Sequence, residues 1–138
     1  MISIEYIHKL LDVYNQLCRL LCQQTGIPQT SLDILMFLKN NPQYKTAADI
    51  VKIRKSTKSH VSTSLKALEN KGLIERIQSA RNKKHIEIVI LNKAESIIED
   101  GMKAQKEFAK NALDGLTKEE KYMCMAVFNK ICANADAY

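Results

Sequence analysis

Lys58, Ser59, His60, Ser62, Thr63 and Lys66 bring two cations and four short hydrogen-bonding side chains into one short stretch. Groups of this kind bind by charge and by donating or accepting hydrogen bonds, and no partnered nucleophile among them suggests bond breaking. Val61, Leu65 and Leu68 recur between them at helical spacing, so a single helix buries one stripe and holds the polar set on its other faces. Gly72 follows the last turn as a helix stop, and Ser56 or Thr57 stands at the N-terminal cap position.

The charge distribution names the surface these groups suit. Between Lys52 and Lys84 there are ten Lys or Arg against two acids, Glu69 and Glu75, a local balance of +8; the chain's net charge is +6, so the remainder carries −2. A basic segment on a slightly acidic body is the electrostatic footprint of a polyanion site. Lys58 can reach a guanine, and Ser59, Ser62 and Thr63 can address any base, with His60 and Lys66 beside them. Arg54 and Lys55 before the helix, and Arg81, Asn82, Lys83 and Lys84 beyond it, are candidates for contacts to the DNA backbone.

The elements that must position these groups follow in chain order. A helix over 3–24 carries Ile7, Leu10, Leu11, Tyr14, Leu17, Cys18 and Leu21 on a face too wide for one neighbour, and Gly26, Ile27 and Pro28 end it. Thr30, with Asp33 in the first turn, caps a second helix that buries Ile34, Leu35, Phe37 and Leu38. Thr46 and Asp49 repeat that cap for a short helix with Ala47, Ile50 and Val51 on its apolar side, and Arg54 to Thr57 make the turn into the helix described first.

Residues 73–78 and 85–91 read as two strands around a basic tip, with Ile86, Ile88 and Ile90 alternating against His85, Glu87 and Val89. Asn92 with Glu95 then begins a long helix to about Leu113, apolar at Ile97, Ile98, Met102, Phe108 and Leu113, with Gly101 as its weak point. Asp114, Gly115 and Leu116 break it. Thr117 and Glu120 fit a capping box for a last helix striped by Met123, Val127 and Ile131, with Tyr122 and Ala126 alongside.

These elements predict a mainly α fold with a small antiparallel β-wing. A winged helix-turn-helix over 30–92 joins a helical dimerisation lobe built from 1–29 and 93–138. The terminal helices are apolar over too much of their circumference for a small core to cover, so a homodimer is expected. An isologous pair would set two recognition helices roughly 34 Å apart, reading a pseudo-palindrome in double-stranded DNA.

Composition agrees with this class. The chain is 46% hydrophobic and 26% charged, without an apolar run near the roughly 20 residues of a membrane span and without a signal-peptide pattern at its start. A cytoplasmic protein with no membrane partner is expected. Cys18, Cys22, Cys124 and Cys132 lie inside helix-like patterns, so reduced thiols are the default. No Gly-rich phosphate loop, nucleophile elbow, zinc-ligand spacing or framed acid pair is present; the chain reads as no enzyme, with no cofactor and no metal.

Leu68, Glu69, Asn70, Lys71, Gly72, Leu73, Ile74, Glu75 and Arg76, preceded by Lys58, Ser59, Val61 and Ser62, resemble the MarR family of bacterial regulators at the passage from recognition helix to wing. The run from Leu113 to Glu120 is similar to the family's approach to its last helix. The resemblance implies a transcriptional regulator, commonly a repressor, acting as a homodimer with the recognition helix in the major groove and the wing tip in the minor groove. It also implies a small-molecule effector pocket between the lobes, with Tyr6, Tyr14, Met36 and Phe37 as candidate lining. Where family wings carry Asp-x-Arg this chain has Asn82, Lys83 and Lys84, and where they close on Leu-Thr-x-x-Gly it runs from Ile90 to Ala94. Lysine lacks arginine's planar fork, so softer wing specificity is expected. Two alternatives stand beside this reading: a thiol- or metal-sensing regulator using Cys18 and Cys22, at i and i+4 of one helix, and a winged-helix protein-interaction module.

Overall fold

The computed structural model describes residues 3–138; the first two residues of the expected N-terminal lobe lie outside them. In order, the chain forms α1 (Ile4–Thr25), α2 (Gln29–Asn40), α3 (Ala47–Arg54), α4 (Lys58–Asn70), β1 (Ile74–Gln78), β2 (Ile86–Ile90), a 3-10 turn (Asn92–Ala94), α5 (Glu95–Ala112) and α6 (Lys118–Asp136). The strands pair antiparallel, with Ile74 opposite Ile90 and Arg76 opposite Ile88. The fold is a mainly helical winged helix-turn-helix.

Local signals set most boundaries. Ser3 caps α1, its hydroxyl accepting from the Glu5 N–H, and Gly26 ends the helix at φ 72°, a left-handed value that a side chain would strain. Thr46 and Asp49 form a full capping box on α3. Thr57 caps α4 by accepting from the His60 N–H, which resolves the choice between Ser56 and Thr57.

Three expected caps differ. The cap of α2 is Pro28, not Thr30: its extended backbone needs no N–H, and its carbonyl accepts from the N–H groups of Ser31 and Leu32 at 3.0 and 3.1 Å. Asp33 instead accepts from the Gln29 side chain at 2.9 Å. Asn92 makes no cap for α5; the 3-10 turn intervenes, and Leu91 and Ala94, which stand at the N-cap positions of the turn and of α5, make no side-chain cap bond. At α6 only the threonine half of the expected box is made, Thr117 accepting from the Glu120 N–H at 3.1 Å.

The core sits where α2, α3, α4 and the root of the wing converge. Leu32, Leu35, Met36, Ile50, Val61, Leu65, Leu68, Leu73 and Ile74 are all buried there, each large apolar side chain contributing roughly 1.5–3 kcal/mol of transfer free energy. Leu73 and Leu91 are joined by a backbone hydrogen bond of 2.9 Å, and Ile88 donates to the Lys45 carbonyl at 2.7 Å, so the wing is anchored at its root and to the segment before α3. α5 packs against both α2 and α1, which also touch one another, and Tyr14 of α1 meets Phe108 of α5 edge to face at 5.7 Å.

Gly101 is not a weak point of α5. The helix runs through it unbroken, and the residue is buried. A Cβ placed there would lie 2.5 Å from Met36 Sδ and 3.3 Å from its Cγ. Glycine lets α5 approach α2 closely, and Met36 fills the space a methyl group would need. α6 is different again. It buries none of its own residues, and Tyr122, Met123 and Phe128 are 78%, 61% and 52% exposed.

Gly101→Ala is expected to destabilise the fold by about 1–2 kcal/mol through overpacking, although alanine is the better helix former. In a Met36→Ala background the same change should cost nothing or stabilise. Denaturant unfolding of the wild type, both single variants and the double variant checks this, and strictly additive effects would contradict the contact.

Candidate nucleic-acid interface

The helical spacing of α4 separates its residues into two populations. Val61, Ser64, Leu65 and Leu68 are buried, while Lys58, Ser59, His60, Ser62, Thr63 and Lys66 are all exposed. The structure therefore brings all six recognition-helix candidates onto solvent-facing parts of one helix. Lys58 and Ser62 also border a groove beside α3, together with Lys52 and Arg76.

What fixes α4 in place includes a bond that the sequence alone did not expose. Ser31, fully buried on α2, donates its hydroxyl to the Ser64 carbonyl at 3.2 Å. A buried hydroxyl needs a partner, and this one finds it on the backbone of the recognition helix. The signal was a serine at an inward position of an otherwise apolar helix. At the other end of α4, Arg76 Nε on β1 lies 3.6 Å from Glu69 Oε2, so the resemblance-bearing run from Leu68 to Arg76 closes on itself.

The turn before α4 depends on Lys55, which caps α3 at φ 52°, in the left-handed region that a non-glycine residue seldom enters. Its Nζ donates to the Tyr138 carbonyl at 2.9 Å. Arg54 turns the other way. Its guanidinium stands over the Phe37 ring, 5.8 Å from the centroid.

At the wing tip Arg81, Asn82, Lys83 and Lys84 are all exposed. Asn82 does internal work: its Oδ1 accepts from the Lys84 N–H at 3.0 Å and its carbonyl accepts from the His85 N–H at 2.9 Å. Such an Asx-type turn holds the tip. Ser79 accepts from the Arg81 N–H at 3.3 Å, and the Gln78 side chain donates to the Lys83 carbonyl. The backbone is tied, and the three cationic side chains point outward without an ion pair among the described residues.

A cavity of about 480 Å³ opens between α1, α2, α5 and the end of α3. Tyr14, Met36 and Phe37 line it; Tyr6 does not, because it lies earlier on α1 and is 63% exposed. Asn15, Asp33, Asn40, Arg54, Gln105 and Phe108 complete much of the wall. Several are polar residues flanking apolar stripes, which was the available signal. Gln105 bridges the helices, accepting from Asn40 at 3.1 Å and donating to the Tyr14 hydroxyl at 3.5 Å. Burial pushes the Tyr14 phenol up to about 12, against the opposing Gln105 hydrogen bond, so it stays neutral. Burial also raises the Asp33 carboxyl, opposed by the Gln29 hydrogen bond and the Arg54 charge.

Cys18 is buried and Cys22 half-buried, with Cys22 Sγ 3.7 Å from Gln29 Oε1. Burial, with Cys18 and Asp33 nearby, raises the Cys22 thiol, which is opposite to the activation a reactive thiolate needs. Among the described residues no three His, Cys, Asp or Glu side chains gather as a metal site, and no helix is long and apolar enough to cross a membrane.

Residues 25–85 match the model of the MarR family. The fold is that of several solved structures. A Listeria monocytogenes protein described as a MarR family transcriptional regulator, complexed with 26mer DNA, superposes with a TM-score of 0.88 at 20% identity, over 99% of this chain and 91% of that one. A SlyA-like transcription regulator from the same organism gives 0.87 at 19%, with the same coverage. A MarR protein from Peptoclostridium difficile gives 0.85 at 15%, over 97% and 87%. No curated protein matches the chain in sequence.

Two outcomes follow. Lys83→Ala with Lys84→Ala is expected to flatten the slope of log DNA affinity against log salt by about two units, one for each phosphate contact; an unchanged slope would contradict the wing assignment. Because the folded state holds the Asp33 proton more tightly, wild-type stability should fall as pH rises through the folded pKa. Asp33→Asn removes that loss. Thermal melts should show the variant more stable at neutral pH, with the gap closing below about pH 4, where both carry an uncharged side chain.

Proposed function

We propose that this protein is a MarR-family transcriptional repressor that binds a pseudo-palindromic operator as a homodimer and is released by a small-molecule effector. The observation that carries the reading is the arrangement of α4: six polar or cationic side chains exposed on a helix whose opposite stripe is buried, followed by an ordered wing with Arg81, Lys83 and Lys84 at its tip. Lys58, Ser59, His60, Ser62, Thr63 and Lys66 address base edges and flanking phosphates in the major groove. Lys55 and the wing-tip cations contact the backbone, with Arg54 close by at the turn.

Dimerisation is supported by apolar side chains that the chain leaves uncovered on α1 and α6, at opposite ends of the sequence. In this reading 1–29 and 93–138 form the dimerisation lobe and 30–92 the DNA-binding lobe. Two-fold symmetry then presents the recognition helices to one side of the duplex, about one helical turn apart. The DNA carried by the Listeria monocytogenes neighbour supports nucleic acid as the partner. The cavity between α1, α2 and α5 supplies the effector site, and the protein acts on DNA in the cytoplasm. The basic segment favours this over a protein-interaction module, and the raised Cys22 thiol favours it over a thiol sensor.

Mobility-shift titration against DNA flanking the coding region, at several salt concentrations and beside a scrambled duplex, tests the proposal. The expected result is saturable binding to a palindromic segment, tighter by about 10³-fold or more than to the scrambled duplex and weakening steeply with salt. Equal and weak binding to both duplexes would contradict operator recognition.

A further inference from the structure

The cavity wall holds one carboxylate that makes no ion pair among the described residues. Among the described residues Asp33 is the only acid in the wall of the cavity between α1, α2 and α5, which it shares with Tyr14, Phe37 and Phe108, with aliphatic side chains, with the amides of Asn15, Asn40, Asn41 and Gln105, and with Arg54. Its carboxylate accepts a single side-chain hydrogen bond, from Gln29. Among the described residues no lysine, arginine or histidine nitrogen lies within salt-bridge distance of it. Arg54 shares the wall and its charge acts on Asp33 from beyond ion-pair distance, its guanidinium standing over the Phe37 ring, 5.8 Å from the centroid. A carboxylate poorly served by water and lacking an ion pair is the one position in this wall where a ligand's charge would gain most.

We propose that this cavity takes a planar aromatic monocation, paired to Asp33 and stacked among Phe37, Tyr14 and Phe108. The assignment rests on reading the cavity as an effector site. A positive charge there satisfies Asp33 and lies near aromatic faces that attract cations. An anionic ligand could pair with Arg54, but would bring like charge against Asp33 in the same space. The volume, about 480 Å³, suits a molecule of one or two fused rings with a short amine arm.

The site also has a route to the DNA-binding surface. The cation competes with Arg54 for the Phe37 ring, and Arg54 is the last residue of α3, immediately before the turn into α4. Binding therefore alters a side chain that belongs to both the cavity and the helix-turn-helix.

Calorimetric titration of the full chain with three probes sharing one ring system provides the test: 1-naphthylmethylammonium, the neutral 1-naphthylmethanol and the anionic 1-naphthoate. The ammonium probe is expected to bind at least about tenfold more tightly than the alcohol, and Asp33→Asn is expected to erase that margin. Tightest binding of the naphthoate, or a cation preference that survives Asp33→Asn, would overturn the ligand class while leaving the effector cavity standing. Failure of all three probes to bind would remove the cavity reading itself, and the proposal with it. A thermal melt of Asp33→Asn confirms that the variant tested is folded.

Discussion

Uncovered apolar surface on α1 and α6 is the constraint on which the rest depends. α1 turns Cys18 and Leu21 inward, yet Ile4, Ile7, Leu10, Leu11 and Leu20 stay exposed. α6 has nothing of its own buried. Apolar area left in water forgoes roughly 25 cal/mol for each Å², and extended patches of this kind mark interaction surfaces. The two helices come from opposite ends of the chain, so a second copy meeting both at once would cover them by symmetry without requiring another protein. That interface would also set the distance between recognition helices, and through it a surface remote from DNA would govern recognition.

α2 connects the parts. Through Ser31 it holds the backbone of α4; through Met36 it meets α5 at Gly101; through Asp33 and Phe37 it forms a wall of the cavity. Close-packed interiors transmit displacement because they offer few voids to absorb it. Met36 is the sharpest instance, since the same side chain lines the cavity and fills the space that Gly101 leaves open. A molecule in the cavity therefore touches residues whose other contacts belong to the recognition helix or to the long helix leading to α6.

Much of this was legible in the sequence for a simple reason: helical periodicity and caps are local. The buried stripe of α4, the capping box of Thr46 and Asp49, and the stop at Gly72 all depend on neighbours a few residues away, and all formed as read. What the sequence hid was tertiary. Gly101 carries a helix-propensity cost that reads as weakness, but the cost is offset by an approach to Met36 that no local rule contains. Pro28 displaced Thr30 as a cap because its fixed φ already suited the role. Tyr6 and Tyr14 look equivalent along α1; only the position of α5 decides that Tyr14 meets Phe108 and Gln105 while Tyr6 faces solvent. Asp33 and Arg54 joined the cavity from positions read as a first-turn acid and as a phosphate contact.

The most direct measurement is the mass of the free protein in solution, by sedimentation equilibrium across a wide concentration range at moderate salt. A reversible or stable dimer of about twice the 15.7 kDa chain mass is expected, with the monomer appearing only on dilution. A monodisperse 15.7 kDa species at every concentration would contradict it. The apolar faces of α1 and α6 would then need a different partner, and nothing would hold two recognition helices at the spacing a palindromic site requires.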